Sequence, residues 1–290
     1  MPPARYAVGV QLAQAIDPYR WTPARGTTPA HIGRILNTAY WYPTAGAASS
    51  ADHAYAAPVR GHFPLVVFAH GFNTNAATYR VLLHDIAAAG YVVAAPEFPI
   101  SGVDGTGPAR EDDNVNQPAD LSAVITATTH WSGSPGNWLN GTVDVSRIAA
   151  VGHSDGGSTV AAMTLNTGYN DSRVKAAVVL AGAEMPMPNG RYGVKATVPL
   201  LVEQGDHDPY NGYGYGYAVF ADAHGPKAML TTINGLHITP VIGSGTQPEL
   251  VRSCIVAFLD TQLRKSTTAF WTMAADGNVA GVTRLTFAGG

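Results

Sequence analysis

Between residues 64 and 263 the chain alternates short apolar runs with segments of helical spacing, and Gly-containing turns separate the two. This alternation is typical of βαβ units, in which successive strands lie parallel in one sheet. The runs are mostly apolar, as expected for strands buried on both faces. They occupy residues 64–69, 91–95, 148–152, 175–180, 199–204 and 227–233. We therefore predict an α/β fold with a mostly parallel central sheet flanked by helices.

Three segments carry apolar residues at helical spacing. The first ends before Gly90, a residue typical of helix C-termini, and the second begins at Pro118. The third covers residues 250–259 and places Cys254 on its buried face.

Upstream of these elements, residues 35–42 are predicted to be extended up to Pro43, and residues 46–57 to form a surface loop. No composition break or long linker interrupts the strands, so we predict one domain over residues 1–290. Its parts are N-terminal strands and loops (1–60), the core (61–265) and a C-terminal extension (266–290).

Composition excludes several classes of protein. Charged residues make up 13% of the chain, the formal net charge is −3, and Lys and Arg are scattered singly, so we expect no nucleic-acid binding. No apolar run approaches the roughly 18 residues of a membrane-spanning helix. The start, Met-Pro-Pro-Ala-Arg, lacks a signal pattern, which leaves a cytoplasmic protein or a mature form without its signal. The single cysteine, Cys254, excludes an intramolecular disulfide and a multi-cysteine zinc site.

The most informative motif is Gly-His-Ser-Asp-Gly at residues 152–156, between a predicted strand and a predicted helix. Glycines two residues to either side let neighbouring chain segments pass close to a serine on a sharp turn. The turn raises the Ser154 hydroxyl above the sheet edge, where a helix dipole favours developing negative charge. An idle serine in a Gly-rich turn is the alternative, and the flanking elements favour a nucleophile. We expect His153 to be a structural hydrogen-bonding residue.

A serine hydroxyl needs a base that accepts its proton and an acid that orients that base. In this arrangement the acid and then the base follow the serine along the chain, each at the C-terminal end of a later strand. After residues 199–204 the chain offers Asp206 and Asp208. We prefer Asp208, which lies beyond Gly205 and just before Pro209, and keep Asp206 as the alternative.

The base is expected after residues 227–233, where the next turn supplies His237. His207 adjoins the acid too closely in sequence to face it, and His224 precedes the strand. Glu203 lies inside a predicted strand and faces the sheet, so we assign it no catalytic role.

An ester hydrolase must also stabilise an oxyanion, usually with backbone amides. One donor would be the amide of Asp155, directly after the nucleophile. The other would come from the loop after residues 64–69, where Phe72 is our candidate. A simple strand-to-loop turn at His70 and Gly71 is the alternative.

Four motifs together resemble the α/β-hydrolase superfamily. They are Phe-Ala-His-Gly-Phe at residues 68–72, Gly-His-Ser-Asp-Gly-Gly at 152–157, Gly-Asp-His-Asp-Pro at 205–209 and the Gly-Leu-His that ends at His237. Within the superfamily, the chain resembles the branch of chlorophyllases, platelet-activating-factor acetylhydrolase-like proteins and bacterial cutinase-like polyester hydrolases. Trp-Tyr-Pro at 41–43 and Gln-Pro-Ala-Asp at 117–120 extend the resemblance. It implies a serine esterase that is secreted, with the signal removed; a cytoplasmic location stays open.

The chain departs from the cutinase-like pattern at two positions near the nucleophile and the oxyanion loop. Asp155 stands where methionine is typical, and His-Gly-Phe at residues 70–72 replaces a Pro-Gly-aromatic loop. Cys254 alone cannot form the C-terminal disulfide that these enzymes often carry. A polyesterase assignment is therefore weakened.

Two further segments bear on the substrate. Only residues 181–198 separate two predicted strands, so we expect no cap domain and an open site suited to lipid-like or bulky esters. Residues 210–217 carry four tyrosines between small residues. They form either a flexible aromatic wall that contacts substrate, with Tyr210, Tyr213 and Tyr215 as candidates, or a loop that only packs on the surface.

No metal or cofactor is implied by the remaining motifs. The acidic run at residues 111–113 does not match a calcium loop and is predicted to be a solvated loop. The glycines at 102, 105 and 107 lack the Lys and Ser/Thr of a phosphate loop.

The sequence thus predicts a serine carboxylic-ester hydrolase with the triad Ser154, Asp208 and His237, acting on a small-molecule, lipid or polymeric ester. A cutinase-like polyester hydrolase is one alternative, and a peptidase or acyltransferase on the same triad is another. A noncatalytic α/β-hydrolase-fold binding protein is the alternative from a different class. The oligomeric state stays open.

Overall fold

The computed structural model describes residues 5–193 and 196–288. The first four residues, on which the expectation about a signal partly rests, lie outside this range. So do two residues of the predicted cap-free connection at 181–198 and the last two residues of the chain. The described chain divides into two compact units, an N-terminal unit that ends at Ser146 and a C-terminal unit that begins at Arg147. One domain over residues 1–290 stays a prediction.

In the described residues, the N-terminal unit comprises a mixed sheet and two α-helices. Its strands are β1 (Ala7–Thr22), β2 (His31–Thr44), β3 (Asp52–Ala54), β4 (Phe63–Ala69) and β5 (Val92–Pro96). Their order is β4-β5-β2-β1-β3; β2 is antiparallel to β5 and β1, and the other pairs are parallel. The helices are α1 (Arg80–Ala88), α2 (Gln117–Gly133) and the 3-10 helices Ala76–Tyr79 and Glu111–Asn116.

The C-terminal unit is a largely parallel sheet with helices between its strands. The strands are β6 (Val143–His153, which enters the unit at Arg147), β7 (Val174–Leu180), β8 (Leu200–Gly205), β9 (Lys227–Thr232) and β10 (Thr283–Ala288). They are neighbours in this order, parallel from β6 to β9, with β10 antiparallel to β9. The helices are α3 (Asp155–Leu165), α4 (Tyr213–Asp222), α5 (Thr239–Ile242), α6 (Thr246–Arg264) and α7 (Thr267–Asp276).

Burial explains why the apolar runs form strands. Every residue of β4, β5 and β8 is buried, and β7 is buried except for one residue. Such strands need helices on both faces, because apolar side chains alternate between the two sides of a strand. Each predicted run corresponds to an observed strand, and the predicted mostly parallel sheet flanked by helices is confirmed.

The predicted helices correspond to α1, α2 and α6. After α1, Gly90 adopts a φ of 96°, a left-handed conformation that favours glycine. On α6, Cys254 is fully buried, as its position on the apolar stripe predicted. Among the described residues, no helix combines the length and apolar character that crossing a bilayer requires.

The acidic run at residues 111–113 lies in a 3-10 helix in which Glu111 and Asp112 are exposed and Asp113 is buried, so the prediction of a solvated loop was wrong for Asp113. Asp113 is buried in the 3-10 helix Glu111–Asn116, and its Oδ2 accepts a hydrogen bond of 2.6 Å from Nη2 of Arg34. Arg34 is fully buried and also donates to both carboxylate oxygens of Asp120, at 2.7 and 2.6 Å. Asp113 is buried because this guanidinium, distant in sequence, compensates its charge.

Two segments contain more regular structure than predicted. The expected surface loop at residues 46–57 includes strand β3, which pairs with β1. The C-terminal extension includes α7 and β10. The extended segment predicted at residues 35–42 lies inside the longer strand β2.

Candidate active site

Ser154 lies at the sharp turn between β6 and α3. Its φ of 57° and ψ of −124° form a left-handed conformation that costs a non-glycine residue about 1–3 kcal/mol. The turn is tightly packed, because a Cβ on Gly152 would lie 2.1 Å from the carbonyl oxygen of Gly156. The Ser154 amide donates to the carbonyl of Leu180, at 2.9 Å. These contacts hold the serine, partly exposed, at the N-terminal end of α3.

The three side chains predicted as a triad form a continuous chain of hydrogen bonds. Nε2 of His237 lies 2.8 Å from Oγ of Ser154, and Nδ1 lies 2.7 Å from Oδ2 of Asp208. A carboxylate only accepts, so Nδ1 carries the proton and donates to Asp208. In the neutral ring Nε2 is then an acceptor, and Ser154 donates its hydroxyl hydrogen to it. This tautomer is the one in which a histidine can remove a serine proton.

Asp208 is buried and its carboxylate is held by four donors. Oδ1 accepts from the backbone amides of Tyr210 and Asn211, at 2.8 and 2.9 Å. Oδ2 accepts from His237 and from Nε2 of the fully buried Gln204, at 2.9 Å. Fixed donors compensate the buried negative charge and set its direction. Sequence reasoning missed Gln204; the available signal was a polar residue at the buried end of a strand, four residues before the acid.

Asp206 has a different partner. Its Oδ1 accepts a hydrogen bond from Nδ1 of His207, at 2.8 Å, and the His207 side chain is 63% exposed. Of the two aspartates kept open by the sequence, Asp208 is therefore the one in contact with the imidazole of His237.

Glu203 is buried inside β8, as its place in a predicted strand suggested. Its Oε1 accepts a hydrogen bond of 2.9 Å from Oγ1 of Thr232. Burial, aided by the charge of Asp208, raises the pKa of Glu203 to about 8. Its carboxyl group is therefore mostly protonated at neutral pH.

His153, next to the nucleophile, is buried against the base. Its Nε2 donates to the backbone carbonyl of His237, at 2.9 Å, and the two rings lie 4.9 Å apart at 49°. Burial lowers the pKa of His153 to about 4, so the ring is neutral near pH 7. The expectation of a structural hydrogen-bonding residue agrees with this contact, although the sequence did not indicate its acceptor.

Of the three tyrosines proposed to contact substrate, one lies beside the base. The ring of Tyr210 is 5.2 Å from that of His237. The hydroxyl of Tyr213 lies 2.9 Å from Oγ1 of Thr231, and Tyr215 is 56% exposed. Tyr213 and Tyr215 belong to helix α4. Of the segment 210–217, which was expected to be a loop, only the residues before Tyr213 lie outside this helix. A contact of these tyrosines with substrate stays a prediction.

The candidate oxyanion donors lie in different units. Asp155 is the first residue of α3, so its amide is at the helix N-terminus. Phe72 follows β4 in a loop fixed by side-chain contacts: the Gly71 amide donates to the Tyr79 hydroxyl, at 3.0 Å. Nε2 of the buried His70 accepts from the Phe98 amide, also at 3.0 Å. The oxyanion role of the Asp155 and Phe72 amides stays a prediction.

We searched the part of the chain that the structure describes for side chains that could bind a metal ion together. There, no three His, Cys, Asp or Glu side chains are grouped so that they could hold a metal ion. The site contains a serine hydroxyl, an imidazole in contact with it and a buried carboxylate in contact with the imidazole.

This chain is similar to a protein-family model and to a solved structure. A model of the chlorophyllase family matches residues 53–184. Among solved structures, a ferulic acid esterase from Streptomyces cinnamoneus superposes with a TM-score of 0.74 at 21% sequence identity, covering 99% of this chain and 98% of that chain. No curated protein matches the sequence.

These similarities bear on the sequence predictions. The α/β-hydrolase fold is confirmed. The family match agrees with the resemblance to the branch that contains chlorophyllases, and with the prediction of a serine ester hydrolase.

Proposed function

We propose that the protein is a serine carboxylic-ester hydrolase that works through an acyl-enzyme. The observation that carries this proposal is the unbroken hydrogen-bonded chain from Asp208 through His237 to Ser154. The chlorophyllase-family match and the fold shared with a ferulic acid esterase support the same reaction class.

In the proposed mechanism, Oγ of Ser154 attacks the ester carbonyl as its proton passes to Nε2 of His237. Asp208 holds the required tautomer and stabilises the imidazolium that forms. The amide of Asp155, at the N-terminus of α3, donates to the oxyanion of the tetrahedral intermediate. His237 then returns the proton to the leaving alcohol, and the acyl group stays on Ser154. A water molecule, deprotonated by His237, attacks this acyl ester, which releases the acid and regenerates the serine.

We propose bulky or lipid-like esters as substrates, with a cutinase-like polyester as the alternative. Ser154 is partly exposed, and the described residues between β7 and β8 (181–193 and 196–199) contain no helix. The exposed ring of Tyr210 beside His237 offers an apolar surface for such a group. Secretion, inferred from resemblance alone, is part of this proposal.

Hydrolysis of p-nitrophenyl esters, with labelling by an active-site organophosphonate, tests the reaction. We expect hydrolysis and a single phosphonate adduct in the wild type, and neither in Ser154→Ala. Ser172→Ala, which removes an exposed serine of the same unit, should behave as the wild type. Activity retained in Ser154→Ala would contradict the proposal. An inactive, unlabelled wild type would favour a noncatalytic binding protein. If the wild type is active, a panel of short esters, long-chain lipids and polyesters separates the substrate classes.

A further inference from the structure

The N-terminal unit contains a cleft of about 630 Å³ under the start of helix α1. Its floor is one face of three neighbouring strands, β5, β2 and β1. In the central row of this floor, Ala39 pairs with Ala95 on one side and with Leu12 on the other. Ala76 and Ala77, just before α1, form the opposite wall. Small side chains on both sides leave the cavity open, and its volume is within the roughly 300–1,000 Å³ typical of small-molecule sites.

The two ends of the cleft differ in chemistry. Trp41, two residues along β2 from Ala39, closes one end with a large aromatic side chain. At the other end lie Asn37 of β2 and Glu97, the residue that follows β5, and the Glu97 amide donates to the Asn37 carbonyl, at 2.8 Å. Four residues of extended strand separate these ends, or roughly 13 Å. The cleft thus suits an elongated molecule with one apolar and one polar end.

Two carboxyl groups, those of Glu97 and Asp104, lie at the polar end. Burial and the nearby charge of Asp104 raise the pKa of Glu97 to about 7. Within the described residues, Oε1 of Glu97 is buried without a hydrogen-bond partner. Backbone hydrogen bonds from Asp104 and Val103 to the Glu97 carboxyl favour its ionised form. Its Oε2 lies 3.8 Å from Nε2 of His70, whose own pKa burial lowers to about 4, so this imidazole is neutral. A positive charge placed here would therefore be favourable, and a negative one unfavourable.

The basic residues near the polar end do not reverse its preference for a positively charged group. Arg80, which lines the cleft, is paired with Asp52, at 2.6 Å. Arg25, which lowers the pKa of Glu97 by its charge, donates to the carbonyls of Pro99 and Gly107. These carbonyls are neutral, so they do not cancel the positive charge of Arg25. The carboxyl groups of Glu97 and Asp104 are two against this one guanidinium, and the preference for a cation remains.

We propose that this cleft binds a small organic cation whose apolar body lies over Ala39 and Ala95 and whose ammonium group contacts Glu97 and Asp104. The apolar body displaces water from the alanine floor, and the ammonium donates hydrogen bonds to the carboxylates. An uncharged analogue still displaces water from the alanine floor but lacks the ammonium that donates to the carboxylates. An analogue with a carboxylate is repelled by Glu97 and Asp104.

Three probes with one naphthalene body test the charge preference: 2-(1-naphthyl)ethylamine, 2-(1-naphthyl)ethanol and 1-naphthaleneacetate. Calorimetric titration of the whole protein at pH 7.5 should give saturable one-to-one binding of the amine. The alcohol should bind about 3- to 10-fold more weakly, and the carboxylate most weakly. Glu97→Gln should remove the advantage of the amine and leave the affinity for the alcohol unchanged. None of the probes is an ester, so the result does not depend on the proposed hydrolase activity.

Filling the cleft tests its position. Ala39→Phe should abolish amine binding, whereas Ile16→Phe, which adds the same ring at an exposed position of β1, should not. Equal binding by Ala39→Phe and the wild type would overturn the proposal, as would tighter binding of the carboxylate or no saturable binding of any probe. Circular dichroism checks that Ala39→Phe folds, and if it does not, the Glu97→Gln comparison decides.

Discussion

Two aspartates separated by one residue have different partners in this protein. Asp208 is buried and contacts His237, whereas Asp206 contacts the exposed His207. The sequence located both at the end of a strand, but the direction of each side chain depends on the turn that follows. Identical chemistry at the two positions makes them a matched pair for mutagenesis.

Asp208→Asn is expected to lower kcat/KM by about 10⁴-fold, because an amide favours the tautomer of His237 that cannot accept the serine proton. Asp206→Asn, the matched control, should keep nearly full activity. Steady-state kinetics with p-nitrophenyl acetate measures both variants. Equal losses in the two variants would show that Asp208 is not the orienting acid.

His153 should act on catalysis through the backbone of His237. His153→Phe keeps a ring but removes the donor to the His237 carbonyl, and we expect kcat to fall by about 10- to 100-fold with KM nearly unchanged. His153→Gln, whose amide can still donate, should recover part of this loss. Because burial holds the pKa of His153 near 4, the wild-type profile of kcat against pH should show no step from this residue above pH 5. An unchanged kcat in His153→Phe would refute the positioning role.

Strand β8 carries a group whose ionisation opposes folding. The pKa of Glu203 is about 8 in the folded protein and near 4.5 in the unfolded chain, so the folded state binds the proton more tightly. Its contribution to stability is fully present below pH 4.5 and is lost as the pH rises towards 8.

Glu203→Gln keeps the shape and the neutral state of this side chain, so the variant should lack this pH dependence. We expect the variant and the wild type to have similar free energies of unfolding at pH 4.5, and the variant to be more stable by about 1–3 kcal/mol at pH 8. Urea denaturation at the two pH values measures the difference. A variant that is less stable at pH 8 would indicate that the carboxyl is ionised in the folded state.

The buried strands could be predicted from sequence, and the outer ones only in part. Each of the strands β4 to β9 contains a short, mostly apolar run, and these runs predicted the strands. Strand β1 instead exposes Leu12 and Ile16 to solvent, at 66% and 55%, and contains Pro18, so its pattern indicates no buried face. The buried Asp113 was misjudged for a related reason: its partner Arg34 is 79 residues away, and local composition does not show such a pair.

The lone cysteine offers a measure of how the C-terminal unit opens. Cys254 is fully buried on α6, with its Sγ 3.8 Å from the carbonyl oxygen of Met273. Burial, aided by the charge of Asp276, raises the pKa of its thiol to about 12. The thiolate needed for disulfide exchange is therefore scarce in the folded chain.

We expect Ellman's reagent to leave Cys254 unmodified at pH 8 in the native protein and to react stoichiometrically in denaturant. The rate of reaction under native conditions then reports the opening of α6. Cys254→Ala provides the blank. Rapid stoichiometric reaction of the native protein would contradict the burial described for this residue.

Taken over the whole chain, the sequence predicted where the candidate site residues stand along the chain better than it predicted their surroundings. Ser154, Asp208 and His237 follow strand ends, and strand ends can be recognised from apolar runs and glycines. The donors around them could not be predicted in this way. Gln204, the amides of residues 210 and 211, and the carbonyl that receives His153 depend on side-chain directions and on contacts between elements distant in sequence.

The Arg34 ion cluster has a practical consequence for recombination with related chains. Arg34, Asp113 and Asp120 come from β2, a 3-10 helix and α2, and each is buried against the others. A crossover between residues 34 and 113 could combine a parent that has the guanidinium with one that lacks the carboxylates, leaving an uncompensated charge in the interior. Chimeric libraries should therefore inherit residues 34–120 from a single parent.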